Sequence, residues 1–312
     1  MEMQLTKIEH IEPGRQTGWL DDGAEGIPVW SVEGKQPGPT LVLTAGVHGC
    51  EYVGIIALKT LFEQIRPQEL RGRLLMVPLV NAGGFYAGAK QIVPSDGKNV
   101  NRVFPAPADG TEAERIAFAM QSQIYPQADF LLDLHGGDVN ETMTPLVFFP
   151  AEASVEVSRR AREGAAHLEV GYRIPSTAKN GLYSWAAQCG IPALLMEVGG
   201  LGQWTTGQVE MELRSIRSLM GWMGMGGTPC CNKNQKEALD MAYEEAEVSG
   251  LWFPRVSAGQ TITRGEVLGT MTTLEGRLLQ TVRAKWDGLA LYNTVSLGVR
   301  EGDELAACGR FA

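Results

Sequence analysis

The sequence lacks several features that would place it in a broad functional class. Its formal net charge is −9 and no cluster of Lys or Arg interrupts it. We therefore expect no nucleic-acid partner, because phosphate binding needs a concentrated basic surface. No stretch approaches the roughly 18 uninterrupted apolar residues of a membrane span. The N-terminus also lacks the basic start and apolar stretch of a secretory signal. These absences predict a cytoplasmic protein with no membrane partner.

Cysteine is scarce and poorly placed for disulfide or metal chemistry. The chain has 5 cysteines, an odd number, and no two of them stand at CxxC spacing. This pattern predicts reduced thiols and argues against a disulfide framework or a cysteine-bound zinc. We interpret the adjacent Cys230 and Cys231 as unbonded, because strain opposes a disulfide between neighbours. Cys50 is interpreted as a small apolar filler.

The residues that are present indicate an α/β fold. With 312 residues, of which 44% are hydrophobic and 20% charged, the chain can bury a large core. From about residue 26 to residue 200, short apolar runs alternate with segments of helical period, which predicts a largely parallel sheet flanked by helices. The predicted helices span residues 51–65, 111–125, 152–167, 181–189 and 207–223. The predicted strands are IPVWSVEG, PTLVLTAG, RLLMVPLV, DFLLDLHG, PLVFFP and PALLMEVGG.

A change in texture near residue 228 predicts a domain boundary. The connector GGTPCCNKNQKE leads into short glycine-punctuated strands, and the segment that begins at Ser249 is weakly repeated from Asp287. We therefore predict an α/β domain over residues 1–227 and a small β domain over residues 228–312. The β domain is similar to the barrel-sandwich of biotinyl and lipoyl carriers. Lys285 does not stand in an exposed hairpin tip, so no carrier role is expected.

Polar side chains end three of the predicted strands. His48 and Glu51 follow PTLVLT, His135 ends FLLDLH, and Glu197 ends ALLME. The carboxyl ends of strands are where open α/β sheets build their sites. Two imidazoles and a carboxylate with an open fourth position form a catalytic zinc set, in which the metal lowers the pKa of bound water to about 7. Glu197, desolvated by its apolar strand, suits the general base for that water.

The loop Asp96–Pro105, DGKNVNRVFP, delivers one arginine, Arg102. A guanidinium binds a substrate carboxylate through two parallel hydrogen bonds, so Arg102 is a candidate for substrate recognition. The alternative is a surface turn whose arginine packs on Phe104.

Taken together in chain order, these motifs resemble the succinylglutamate desuccinylase/aspartoacylase family, zinc-dependent deacylases related to the zinc carboxypeptidases. The resemblance spans about residues 35–205. It implies a carboxypeptidase-like mixed, largely parallel sheet followed by a β domain. It implies one zinc ion per chain, held by His48 and Glu51 of an HGxE motif and by His135 of a DLH motif. It also implies that Asn101 and Arg102 bind the substrate and that Glu197 is the general base.

One departure from the family concerns the scissile carbonyl. Many relatives carry a carbonyl-polarising arginine upstream of the loop, where this sequence has AGAKQIVPS, and Lys90 is the nearest cation. We predict that Lys90 stabilises the developing oxyanion.

The predicted function is hydrolysis of the amide bond of a small N-acyl amino acid or related N-acyl amine. A metallocarboxypeptidase acting on short peptides and a non-catalytic metal-binding protein remain alternatives. The acyl group, and whether the chain forms a homo-oligomer, are left open.

Overall fold

The computed structural model describes residues 5–12, 14–23 and 26–311. The strands of this part of the chain are β1 (Leu5–Glu12), β2 (Arg15–Leu20), β3 (Ile27–Glu33), β4 (Gln36–Ala45), β5 (Arg71–Val77), β6 (Phe130–His135), β7 (Glu141–Met143), β8 (Leu146–Pro150), β9 (Tyr172–Ser176), β10 (Ala193–Glu197), β11 (Lys236–Glu245), β12 (Gly250–Pro254), β13 (Thr261–Ile262), β14 (Val267–Thr272), β15 (Leu278–Arg283), β16 (Gly288–Thr294), β17 (Gly298–Val299) and β18 (Glu304–Phe311). The α-helices are α1 (Tyr52–Gln64), α2 (Ala82–Ala87), α3 (Glu112–Ala119), α4 (Val155–Ala165), α5 (Leu182–Gln188) and α6 (Thr206–Trp222).

The predicted mixed α/β architecture is confirmed. One large sheet has the strand order β1-β2-β3-β5-β4-β6-β10-β8-β9-β11-β18-β16-β13, and β7 pairs with β16. Its centre is parallel, since β4 pairs in parallel with both β5 and β6, and β6 pairs in parallel with β10. The strands β1, β2 and β3 add an antiparallel edge. The carboxyl ends of β4, β6 and β10 therefore meet at one edge of the sheet.

The central strands read as apolar runs because both faces of the sheet are covered. All six residues of β6 are buried. Helices α1, α4 and α6 pack on one face, where their apolar stripes join the core of β4, β6 and β10. Helix α3 and helix α5 contribute to the core on the other face. A capping box begins α3, with the Thr111 N–H donating to Glu114 Oε2 at 2.8 Å.

The C-terminal strands both extend the large sheet and build a second one. β11 pairs in parallel with β9 and antiparallel with β18, so the large sheet continues beyond residue 228. A separate sheet of order β15-β14-β12-β17 has its own buried cluster, which includes Trp252 and Met271. The division at residue 228 stays a proposal, since the continuous sheet crosses it.

Elements that were not predicted from the sequence include the β1–β2 hairpin, the short helix α2, and the strands β7 and β9. Each is brief or half-exposed, so its apolar pattern is weak. None of the helices in the described ranges is both long enough and apolar enough to cross a membrane.

Candidate active site

The turn between β4 and α1 brings His48 and Glu51 together. Glu51 is the N-cap of α1, and its Oε1 lies 2.7 Å from His48 Nδ1. Both side chains are buried. Gly49 lies in this turn, and its φ is not positive. Glycine is required there for close approach, because a Cβ on Gly49 would lie 2.2 Å from the backbone carbon of Gly84 in α2.

His135 reaches the same point from the neighbouring strand. It is the last residue of β6 and is buried, and its Nδ1 lies 2.8 Å from Glu51 Oε2. The two imidazole rings meet edge to face with centroids 4.9 Å apart. One potential ligand atom from each of His48, Glu51 and His135 lies within 4.8 Å of the others. The three residues that the sequence proposed as metal ligands are therefore brought together.

The second nitrogen of each histidine faces a carbonyl or carboxylate oxygen. His48 Nε2 lies 3.1 Å from Asn99 Oδ1, and His135 Nε2 lies 3.1 Å from Asp133 Oδ2. Asp133 is fully buried and is held by Thr44, whose Oγ1 donates to Asp133 Oδ1 at 2.6 Å. Each of these oxygens can accept the Nε2–H, which leaves Nδ1 either to share a proton with Glu51 or, once that proton is displaced, to bind a metal. Neither Asn99 nor Asp133 was singled out by the sequence.

The electrostatics of this cluster suit a divalent cation. Burial by itself raises the pKa of the Glu51 carboxyl, but the charges of His48 and His135 outweigh it and lower that pKa to about 2. Burial lowers the pKa of the His135 imidazole, yet Asp133 and Glu51 outweigh it and hold that pKa well above its usual range. Among the described residues, no group is directed at the buried Glu51 Oε2 as a hydrogen-bond partner, although His135 Nδ1 approaches it closely. The donor set therefore fits a metal that replaces the protons.

Glu197 ends β10 directly beside the cluster, paired in parallel register with His135. Its Oε2 is buried without a hydrogen-bond partner, and no Lys or Arg of the described ranges forms an ion pair with it. Burial, and then the negative charges of Glu51, Glu141 and Asp133, raise its pKa well above the usual range, against the opposing effect of His135. This carboxylate is free to exchange a proton with a molecule in the site.

The loop residues Asn101 and Arg102 also reach the site. Both line the cavity that contains the cluster. Asn101 is buried and its Oδ1 accepts the Leu182 N–H at 2.7 Å, so this oxygen anchors the start of α5. The guanidinium of Arg102 is exposed, and its Nη1 donates to the Asn101 carbonyl at 2.8 Å.

The side chain of Lys90 pairs with a buried aspartate. Its Nζ lies 3.6 Å from Asp138 Oδ2, and the side chain is 46% exposed. The neighbouring Gln91 lines the cavity instead, with φ at +51°, a value that few residues other than glycine adopt. The role of Lys90 at the carbonyl stays a prediction, and Gln91 is the polar side chain that the structure places at this part of the wall. Cys50 is buried and donates to Asp138 Oδ1 at 3.2 Å, away from the metal ligands.

These groups open into one cavity of about 430 Å³. A volume in this range suits a small molecule. Part of the wall comes from the C-terminal strands, which sequence reasoning did not connect with the site. The lining residues that sequence reasoning missed include Gln91, Glu141, Tyr183, Tyr243, Glu245, Tyr292 and Glu304.

Comparison with known proteins identifies what the chain is similar to. Residues 37–222 match the succinylglutamate desuccinylase/aspartoacylase catalytic domain. An N-alpha-acetyl-L-2,4-diaminobutyric acid deacetylase of Halomonas elongata is 32% identical over 294 residues, covering 91% of this chain and 85% of that protein. A succinylglutamate desuccinylase/aspartoacylase structure from Rhodobacter sphaeroides superposes with a TM-score of 0.87 at 26% identity, covering 100% and 99% of the two chains. A product-bound ectoine utilization protein, EutE (DoeB), from Ruegeria pomeroyi gives a TM-score of 0.88 at 25% identity, with 99% of each chain covered.

Proposed function

The chain belongs to the succinylglutamate desuccinylase/aspartoacylase family, and from that premise we propose that it is a zinc-dependent deacylase of small N-acyl amino acids. The observation that carries this proposal is the convergence of His48, Glu51 and His135 beside an unpaired glutamate, Glu197, in one cavity. The Halomonas relative is named for removing an acetyl group from an amino acid, which supports the same reaction class.

His48, Glu51 and His135 would hold the zinc through two Nδ1 atoms and a carboxylate. This ligand set is the kind that leaves a coordination position open for catalysis. When bound, zinc supplies Lewis acidity and lowers the pKa of a water ligand to about 7. The Nε2 contacts to Asn99 and Asp133 keep both imidazoles in the ligating tautomer.

Glu197 is the general base in this proposal. Its raised pKa brings it nearer the pH at which a carboxylate both accepts and returns a proton efficiently. It takes the proton from the attacking water and passes it to the leaving nitrogen as the amide bond breaks. The absence of an ion pair with any Lys or Arg that the structure describes leaves its oxygens available for that task.

Arg102 is proposed to fix the carboxylate of the substrate. Its guanidinium lines the cavity and has no carboxylate partner among the described side chains. It is therefore available to donate hydrogen bonds to the carboxylate of a ligand. Asn101 supports it in two ways: its carbonyl orients the guanidinium, and its side-chain oxygen ties the loop to α5. The Asn101 amide group is left to donate to the substrate.

A carboxypeptidase acting on short peptides would use the same metal site. The cavity of about 430 Å³ favours a small N-acyl amino acid. A non-catalytic metal-binding protein would have no need for a buried, unpaired carboxylate at Glu197, because leaving such a group without a partner is costly.

Turnover of N-acyl amino acids, followed by release of the free acid, tests the proposal. We expect the zinc-loaded protein to release acetate from N-acetyl amino acids and to lose this activity with a chelator. Glu197→Gln is expected to lower kcat by at least about 100-fold, since an amide cannot accept the proton. The surface variant Glu247→Gln, which removes the same charge from an exposed position, serves as the control. Full activity of Glu197→Gln, or release of a C-terminal amino acid from peptides with none from N-acetyl substrates, would contradict it.

A further inference from the structure

One part of the cavity wall is acidic and is built where the two halves of the chain meet. β7 pairs with β16, with Glu141 opposite Thr294. On the other side of β16 lies β18, and Thr294 Oγ1 donates to the Glu304 carbonyl at 2.7 Å. Glu141 and Glu304 therefore flank the same residue of β16, and both line the cavity. We call these two glutamates the acidic wall.

Glu141 is buried, with 8% of its surface exposed. Its Oε2 accepts the Asp138 N–H at 3.2 Å, while no partner among the described residues reaches Oε1. Burial raises the pKa of this carboxyl to about 7. The negative charges of Asp138 and Glu304 act in the same direction, while the hydrogen bond from Asp138 N–H and the positive charge of Lys90 oppose it. A nearby cation is what such a carboxyl needs in order to ionise.

Glu304 is exposed to the cavity and is oriented by a tyrosine. The hydroxyl of Tyr292 donates to Glu304 Oε2 at 2.9 Å, and Tyr292 itself is buried. This hydrogen bond holds one carboxylate oxygen and leaves the other for a ligand. The negative charge of Glu304 also contributes to the raised pKa of the Glu141 carboxyl.

No Lys or Arg of residues 5–12, 14–23 and 26–311 forms an ion pair with either member of the acidic wall. Nor do these carboxylates form a metal site: within the same ranges, His48, Glu51 and His135 are the group with metal-ligand geometry. An organic cation with a few hydrogen-bond donors fits two separated carboxylates better than a small metal ion does.

The charge of the whole cavity points the same way. Its lining includes the carboxyl groups of Glu51, Glu141, Glu197, Glu245 and Glu304. Among the described lining residues, Arg102 alone has a Lys or Arg side chain. An N-acyl amino acid with an acidic side chain would place its second carboxylate against these acidic groups. A substrate with one carboxylate and one ammonium group meets a complementary surface.

We propose that Glu141 and Glu304 bind the side-chain ammonium of an N-acyl diamino acid and so determine the substrate class. This inference rests on the proposed function for the position of the scissile amide at the metal. The substrate is then held at three points: its carboxylate at Arg102, its amide at the metal cluster, and its ammonium at the acidic wall. Tyr292 acts as a positioning residue for Glu304.

A pair of substrates that differ only at the end of the side chain tests the proposal. Nα-acetyl-L-2,4-diaminobutyrate carries the ammonium, and Nα-acetyl-L-norvaline has a methyl group in its place. Hydrogen bonds to charged groups lead us to expect kcat/KM about 10- to 100-fold higher for the first compound in the zinc-loaded protein. The ratio of the two kcat/KM values is expected to fall at least about fivefold in Glu141→Gln and in Glu304→Gln.

Glu301→Gln is the matched control, because Glu301 is exposed, lies near Glu304 in the chain and does not line the cavity. It should keep the wild-type ratio. If Glu141→Gln does not fold, the exposed Glu304 still carries the test. A wild-type ratio near one, or a ratio unchanged in both wall variants, overturns the proposal.

Binding of the deacylated compounds separates this inference from the proposed function. Calorimetry with L-2,4-diaminobutyrate and L-norvaline should show tighter binding of the former, and Glu304→Gln should remove the difference. If that preference holds while no N-acyl amino acid is hydrolysed, deacylation is refuted and ammonium recognition is supported. Equal binding of the two amino acids refutes ammonium recognition, whether or not hydrolysis is seen.

Discussion

Asp133→Asn tests how Asp133 orients His135, a proposed metal ligand. Asp133 is fully buried, accepts from Thr44 Oγ1 at 2.6 Å, and places Oδ2 3.1 Å from His135 Nε2. Asparagine keeps the shape of this side chain but removes its charge and replaces one oxygen by an NH₂ donor. If the Thr44 hydroxyl still donates to the one oxygen of the asparagine, the NH₂ group faces the His135 N–H. Two hydrogen-bond donors then face each other.

The expected loss in zinc affinity is about 10- to 100-fold, which is the usual effect of changing a carboxylate behind a ligating histidine. This corresponds to about 1.4 to 2.7 kcal/mol of binding free energy. Competition with a chromophoric chelator at fixed pH measures the Kd directly, without relying on enzyme activity. Thr44→Val removes the hydroxyl that holds Asp133 and should weaken zinc binding in the same direction, by a smaller factor.

Asp240→Asn is the control, since it removes the same charge from an aspartate paired with Arg310 at the surface. It should leave the Kd for zinc unchanged. An Asp133→Asn protein that folds and binds zinc as tightly as the wild type would refute the reasoning. The contact between Asp133 and His135 would then have no bearing on the metal.

The remaining predictions concern a buried carboxyl, the substrate clamp and the metal-ligand turn. Glu212 is fully buried, and neither of its oxygens has a hydrogen-bond partner in the part of the chain that the structure describes. Burial, reinforced by the charge of Glu197, raises its pKa well above the usual range. The stability that this proton confers is complete below the unfolded-state pKa and is lost as pH rises towards the folded-state pKa. Glu212→Met should therefore have a higher free energy of unfolding in urea than the wild type. The difference between the two proteins should grow by up to about 1.4 kcal/mol for each pH unit in that window, because only the wild type loses stability there. Arg102→Lys should raise KM for N-acetyl amino acids about tenfold with a smaller change in kcat, because lysine lacks the fork. Gly49→Ala should weaken zinc binding at least about tenfold, since its Cβ would lie 2.2 Å from the Gly84 backbone and the turn must move.

Each of these has a result that contradicts it. A stabilisation by Glu212→Met that is the same at every pH would show that its proton is not involved. An unchanged KM in Arg102→Lys would mean that the guanidinium does not hold the carboxylate. Wild-type zinc affinity in Gly49→Ala would show that the backbone of α2 yields instead of the turn.

The four central site residues could be predicted because each stands at a place that local pattern marks. His48 and Glu51 follow a buried strand and begin a helix, and His135 and Glu197 each end an apolar strand. Parallel neighbours in a sheet bring such ends together by geometry. The sequence therefore indicated the cluster without a knowledge of its distances.

Other parts of the site depend on contacts that no local pattern records. The direction of Lys90 towards Asp138 depends on a loop whose path is set by its packing. The need for glycine at position 49 comes from the backbone of α2, which is distant in sequence. The acidic wall joins Glu141 to Glu304 through strand pairing across more than half the length of the chain.

The sequence by itself indicated the α/β class, the group of candidate metal ligands and the proposed general base, because strand ends and helix starts are local signals. Only the tertiary structure decided what else faces the substrate. It brought Tyr292 and Glu304 from the C-terminal strands to the cavity and left Glu141 there without a counter-ion among the side chains that the structure describes. Side-chain direction and long-range strand pairing depend on the packing of the whole chain, so the lining of the cavity is set at that level.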